Sequence, residues 1–253
     1  MLKTRVIPCL LLKDKGLVKT IQFNEPRYVG DPINAVRIFN TKKVDELVFL
    51  DISATREGKK LPLDMVLNIA TECSMPFAVG GGINSVDEIR QILHLGAEKI
   101  VINTHAIGNP SLIREAANLF GSQSVVASID ARRRNDNSYE VFTHGGTVAT
   151  GRDPVGLARE LEAMGAGEIL LTSIDRDGTM QGYDLELIRM VADATRVPII
   201  ACGGARRIDD FAEAVDKGHA SAVAAGSMFV FHGKRHAVLI NFPTREELEV
   251  LVK

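Results

Sequence analysis

Short apolar runs recur along the chain at about 5–11, 46–51, 77–81, 99–103, 125–130, 168–173, 198–202 and 222–225. They are near-continuous rather than alternating, the pattern of strands buried on both faces of a parallel sheet. Helical stretches lie between them. Asp31-Pro32 predicts a helix start, with Asp as N-cap and Pro at the first helical position; Asn109-Pro110 and Asp153-Pro154 repeat the device. Ser85, with Glu88 three residues on, predicts a capping box. Strands alternating with helices imply right-handed βαβ units, and no segment reads as a domain linker.

Two half-chains repeat each other. Asp45-Glu46-Leu47-Val48-Phe49-Leu50-Asp51 is echoed by Gly167-Glu168-Ile169-Leu170-Leu171-Thr172-Ser173, and Pro76–Gly82 by Pro198–Gly204, both at an offset of 122 positions (167 − 45 and 198 − 76). Each half reads as strand, helix, strand, helix. The α/β pattern therefore predicts a single (β/α)8 TIM barrel domain over 1–253, with an internal half-barrel repeat. Its site should lie at the carboxyl ends of the strands. Two long connections follow the first and fifth strands, at about 12–30 and 132–152. The second contains Tyr139–Gly146, which reads as a small hairpin. Long loops at that end of a barrel usually serve function.

Composition narrows the partners. A net charge of −2 gives no reason to expect nucleic-acid or acidic-membrane binding, and Arg132-Arg133-Arg134 reads as a solvated loop. No run of eighteen apolar residues predicts a membrane span, and the first residues, too short for a signal peptide, lead directly into the first strand. Cys9, Cys73 and Cys202 match no metal pattern and read as small buried core residues. Their odd number suits a reducing cytoplasm. No metal or other cofactor is expected.

Groups suited to phosphate stand at four strand ends. Gly80-Gly81-Gly82 and Gly203-Gly204 follow strands three and seven; Asn103-Thr104 and Gly226-Ser227 end strands four and eight. Glycines admit close approach of backbone N–H groups to an anion, and the loops after strands seven and eight are a recurring phosphate site in these barrels. The repeat predicts a second such site after strands three and four, hence a ligand with a phosphate at each end. Tight βα turns alone would also account for the glycines. Asp51, Asp130, Asp175 and Asp177 are candidates for acid–base work, with helix capping the alternative. Arg5, Glu46, Lys99 and Glu168 fall at strand starts, at the opposite end of the barrel. From spacing alone they read as solvated rim charges rather than a ring across the axis.

These segments resemble the cyclase subunit of imidazole glycerol phosphate synthase, the HisF family, from about residue 4 to 231. Asp45–Asp51, Val79–Ile83, Asn109–Ile113 and Gly165–Thr179 carry the resemblance. It implies that a glutaminase subunit docks on the N-terminal face of the barrel. Ammonia then passes up the axis and reacts with a bis-phosphorylated ribulosyl formimino carboxamide nucleotide, giving imidazole glycerol phosphate and an aminoimidazole carboxamide ribotide. It places an ammonia gate on Arg5, Glu46, Lys99 and Glu168, overturning the solvated-rim reading. It places ligand-binding positions at Gly82, Asn103, Thr104, Asp177, Gly178, Gly203, Gly204 and Ser227, and at Lys19 in a mobile first loop.

One departure is decisive. The family uses two aspartates at the barrel top. One falls on Asp130; the other is replaced by Leu11, which can neither donate nor accept a proton. An acid or base of this kind contributes roughly 10²–10⁴-fold. The segment Phe231–Leu248 also departs from histidine-pathway members. It resembles a paralogous subgroup, the glycosyl amidation-associated proteins of surface-polysaccharide pathways, which implies a sugar amidotransferase as a further partner. The combined expectation is a cytoplasmic, ammonia-conducting synthase subunit with weak intrinsic cyclisation. The alternatives are an authentic cyclase of histidine biosynthesis that tolerates Leu11, and a non-catalytic scaffold that activates the glutaminase.

Overall fold

In the computed structural model, which describes residues 4–233 and 235–251, eight parallel strands close into a barrel. Residues 1–3, which the sequence reading attaches to the first strand, lie outside the described residues, as do Lys234, 252 and 253. The strands are β1 (Arg5–Lys13), β2 (Leu47–Asp51), β3 (Phe77–Gly80), β4 (Lys99–Ile102), β5 (Val125–Arg133), β6 (Glu168–Ser173), β7 (Ile199–Cys202) and β8 (Ala222–Ala225). Each pairs in parallel with the next, and β8 pairs with β1. All eight expected strands are present. Strands β6 to β8 begin at Glu168, Ile199 and Ala222 as β2 to β4 begin at Leu47, Phe77 and Lys99, so the 122-residue offset (199 − 77) recurs within one residue.

The unbroken apolar strands have two buried faces to fill. Inward-facing Ile7, Val48, Ala78, Val101, Val126, Leu170, Ile200 and Ala222 form an apolar collar around the axis. Outward-facing Val6, Leu10, Phe49, Val79, Ile100 and Ile169 pack under the helices in a larger cluster. The longer helices are α1 (Pro32–Lys42), α2 (Leu63–Glu72), α3 (Val86–His94), α4 (Ser111–Phe120), α5 (Pro154–Ala163), α6 (Leu185–Ala192) and α7 (Ile208–Asp216). Asp31 and Asp153 cap α1 and α5 as expected, accepting from Asn34 N and Gly156 N with Pro in the first turn. Two starts differ. Ser85 caps α3, but Glu88 accepts from Asn84 N rather than closing a capping box. The Asn109 side chain accepts from the Ser111 hydroxyl instead of a backbone N–H of α4, whose cap position is Pro110.

Three segments depart from the sequence reading. The first connection is no loop. Residues Gly16–Ile21 and Asn24–Gly30 form antiparallel strands that extend β1, pairing Leu11 with Val18 and Lys13 with Gly16. Both turns are tight and left-handed, with φ of 49° and 67° at Asp14 and Lys15 and 52° and 65° at Gln22 and Phe23. Such turns ordinarily use Asn-Gly or Asp-Gly, so neighbouring contacts must hold them. The arginine run is no loop either. Arg132 and Arg133 end β5, which pairs with Tyr139–Thr143, itself paired with Val148–Ala149. Arg132 lies over the Phe142 ring and Arg133 over Tyr139, and the three arginines pair with Asp175, Glu186 and Glu140. Finally, β8 is followed by a four-residue helix, Ser227–Val230, and by a short ladder of Phe231–His232 with Ala237–Val238. Phe242 and Leu248 from the last segment are buried, and the Phe242 ring sits 5.1 Å from that of Phe229.

Candidate functional site

At the carboxyl ends of the strands a cavity of about 140 Å³ opens on the β2–β5 side, and one of about 30 Å³ opens toward β7 and β8. The larger is bordered by Gly82, Asn103, Thr104 and Asp130. The smaller is bordered by Lys19, Gly178, Gly203, Gly204 and Ser227. Cys9, Leu11, Asp177 and Cys202 border both and stand between them. The fold thus brings every expected ligand-binding residue, and Asp130, to one mouth in two halves.

The hairpin over β1 closes that mouth. Lys19 is buried; its Nζ donates to the Cys9 carbonyl at 2.7 Å. A Cβ added to Gly226 would lie 2.0 Å from that nitrogen, so glycine at the end of β8 makes room for the lysine head. The expectation of Lys19 on a mobile loop is corrected: it sits on a paired strand, within the smaller cavity. Thr20 donates to Asp177 at 3.1 Å, and Gln22 donates to the Asp177 and Asp175 carbonyls. A Cβ on Gly178 would meet the Thr20 carbonyl at 2.0 Å, at a φ of +72°, so only glycine lets the β6 loop approach the hairpin this closely.

The carboxylates divide by environment. Asp130 faces the larger cavity from β5. Burial, and then the nearby charge of Asp177, push its pKa up to about 7, against the pull of the Thr172 and Ser128 hydroxyls. Asp177 is also raised by burial, and Lys19 and Thr20 oppose the shift. Asp130 can therefore exchange a proton near neutrality. Asp51 has another task. Its Oδ1 accepts from Ser53 N, Ser53 Oγ and Ala54 N at 2.7–3.0 Å, which caps the short helix Ala54–Glu57. Asp175 accepts from Arg133 N and pairs with Arg132, fixing the β6 loop to the β5 hairpin. Of the four candidate acids, Asp130 and Asp177 border the larger cavity without capping a helix, and Asp177 also tethers the hairpin through Thr20. Leu11 packs beside Leu50, its partner in register, and closes the mouth's floor with an apolar surface.

At the opposite end the four charges form an alternating ring. Arg5 bridges Glu46 and Glu168, each at 2.5 Å, and Lys99 bridges the same pair at 3.0 and 3.2 Å. The Glu46, Lys99 and Glu168 side chains are only 4, 11 and 13% exposed. Burial disfavours the Arg5 charge, but Glu168 and Glu46 outweigh it and hold the guanidinium above its ordinary value. The spacing-only reading of solvated rim charges is corrected: inward alternation on β1, β4 and β6, with Glu46 just ahead of β2, places the four across the axis beneath the collar.

The family model described as "Histidine biosynthesis protein" matches residues 5–235. The chain belongs to that family. It is 52% identical over 250 residues to "Putative imidazole glycerol phosphate synthase subunit hisF2" of Pseudomonas aeruginosa, covering 99% of this chain and 100% of the relative. Proteins of Leptospira borgpetersenii and Leptospira interrogans, each named "Putative imidazole glycerol phosphate synthase subunit HisF", are 47% and 48% identical over 252 residues, with 99% of both chains covered.

This HisF-like barrel carries site residues that sequence reasoning missed. Ser128 and Thr172 flank Asp130 electrostatically; strand alternation marks Ser128, two positions before Asp130, as facing the same way. Cys9 and Cys202 are buried members of the core, as expected. Both border the two cavities, and contact with Cys9 together with burial holds the Cys202 thiol well above its usual range. Cys73, expected buried, is partly exposed. Arg56, His105 and Thr20 also border the larger cavity, and no motif announced them. Among the described residues no His, Cys, Asp or Glu cluster could hold a metal ion, and no helix is long and apolar enough to cross a membrane.

Proposed function

We propose that the chain is the ammonia-conducting subunit of a glutamine-dependent complex and hands its nitrogen to a sugar held on another protein. One observation carries the reading. The mouth presents apolar Leu11 where cyclisation needs a second acid–base group, while the four-charge ring, with Glu46 and Lys99 buried and Glu168 and Arg5 partly so, is intact. Replacing a buried ion cluster by apolar residues is often neutral or stabilising, so a ring kept at the axis suits a task other than stability.

In this reading a glutaminase docks against the strand starts and releases ammonia at the ring. A shift of Lys99 or Arg5 opens a path between Glu46 and Glu168. Neutral ammonia then crosses the collar of Ile7, Val48, Val101 and Leu170, which disfavours ions and offers water no hydrogen-bond partners. At the mouth, the two halves hold a ligand with two phosphate groups. The relatives' names as synthase subunits support the glutaminase partner and leave the paralogue and the histidine-pathway enzyme equally open. Asp130, with its pKa near 7, favours the second reading, a cyclase working with one strong proton-transfer group.

The deciding measurement is turnover of the bis-phosphorylated ribulosyl formimino carboxamide nucleotide with an ammonium salt. Turnover at least ~10²-fold below an Asp-containing cyclase supports the proposal. Equal turnover overturns it in favour of histidine biosynthesis.

A further inference from the structure

The two halves of the mouth differ in their source of positive charge. The β7–β8 half receives Lys19 from the hairpin over β1. The internal repeat supplies no equivalent to the β3–β4 half. The counterpart of the Lys19 strand is Tyr139–Thr143, where position 141 (19 + 122) is Val141, fully buried. The larger cavity is moreover bordered by three carboxylates, Asp51, Asp130 and Asp177. A phosphate dianion there needs a cation from elsewhere.

We propose that Arg56 is that cation and reads the second phosphate of a bis-phosphorylated ligand. The proposal rests on the phosphate-binding reading above. Arg56 borders the larger cavity together with Gly82, Thr104 and His105. It sits on the short helix that Asp51 caps. That helix is pressed onto the β3 turn: a Cβ on Gly82 would lie 2.8 Å from the Lys59 carbonyl and 3.0 Å from the Ala54 Cβ. Across the mouth, Gly145 of the β5 hairpin gives the side chain its berth, since a Cβ there would stand 3.2 Å from Arg56 Cδ. The neighbouring charges are matched without it: Glu57 pairs with Lys59 at 2.5 Å and Glu88 with Lys60 at 2.7 Å. Among the described residues Arg56 forms no hydrogen bond and no ion pair, so its fork of donors is open for a phosphate.

The test uses the bis-phosphorylated ribulosyl formimino carboxamide nucleotide, whose two phosphates give separate ³¹P resonances. Calorimetry and ³¹P spectra are recorded for wild type, Arg56→Gln, Arg56→Lys and Lys19→Gln. Arg56→Gln should weaken binding about tenfold or more and move the bound resonance of one phosphate. Lys19→Gln should move the other, and Arg56→Lys should recover only part of the affinity, since an ammonium lacks the planar fork. Binding by wild type with Arg56→Gln within twofold of it overturns the Arg56 assignment alone, as does an equal disturbance of both resonances. No binding by wild type overturns the phosphate reading, and this proposal with it.

Discussion

Asp177 raises the proton affinity of Asp130 across the mouth of the barrel. The two carboxylates share one buried space, and the hairpin's Lys19 and Thr20 favour charge on Asp177. Asp130, buried and with the Asp177 charge nearby, is held protonated to about pH 7.

That relationship sets a pH signature of stability. The folded pKa of Asp130 is about 7 against 3.8 for the free group, so its contribution is fully present below about pH 4 and is lost as pH rises to about 7. The full loss is on the order of a few kcal/mol. Asp130→Asn removes the titration. Its melting temperature relative to wild type should rise from pH 4 to pH 7 and level off above. Parallel curves for the two proteins over that range would show that Asp130 ionises without penalty.

Restoring a carboxylate at the floor of the mouth separates loss of one group from wider divergence. Leu11→Asp should raise ammonium-dependent cyclisation by about 10²-fold or more, because Asp130, Lys19 and both cavities are already in place. The same change crowds a third acid beside Asp130 and Asp177, so it should also lower the melting temperature at pH 8. Stability lost without activity gained would mean that the mouth no longer positions the nucleotide for ring closure.

The hairpin's dock on the β6 loop is a second place where one atom decides. Gly178→Ala adds a Cβ within 2.0 Å of the Thr20 carbonyl at a left-handed φ, so it should lift the hairpin off Asp177 and free the Gln22-Phe23 turn from its hydrogen bonds to the β6 loop. Limited proteolysis should then cut near that turn in the variant and not in wild type. Affinity for inorganic phosphate should fall as Lys19 leaves the smaller cavity. An unchanged digestion pattern would mean the loop yields instead of the hairpin.

How much of this was legible in the chain follows from which forces act locally. The eight strands were, because burial on both faces forces unbroken apolar runs, and so were the Asp-Pro helix starts. The hairpin over β1 was not. Its turns use Asp14-Lys15 and Gln22-Phe23, of which only Asp14 favours positive φ, and Gln22 is held by hydrogen bonds to the distant Asp175 and Asp177. The charged ring was visible as four strand-start residues. Its closure was not, since spacing cannot say whether a bottom-rim side chain turns outward or toward the axis. Asp51 and Asp130 both close apolar runs of the sequence, and only geometry shows that Ser53 and Ala54 occupy the first. Arg56 carries no motif, because its place depends on how Gly82 and Gly145 pack around it.

The ring yields the remaining prediction. Arg5 and Lys99 each bridge Glu46 and Glu168, so removing one charge leaves buried opposite charges unmatched. Lys99→Ala and Glu168→Ala should each lower stability, by up to about 3–5 kcal/mol given the burial of the ring. If the ring gates ammonia, they should also uncouple the complex. Glutamine would still be hydrolysed by the docked glutaminase, but less nitrogen would reach the acceptor. The measurement is the ratio of glutamate formed to acceptor aminated, for wild type and each variant, at a temperature where all remain folded. Free ammonium added to the same complexes should restore amination, because the mouth and the acceptor enzyme are untouched. A ratio unchanged in both variants would reduce the ring to a costly structural plug, and the conducting function would have to be abandoned in favour of the scaffold reading.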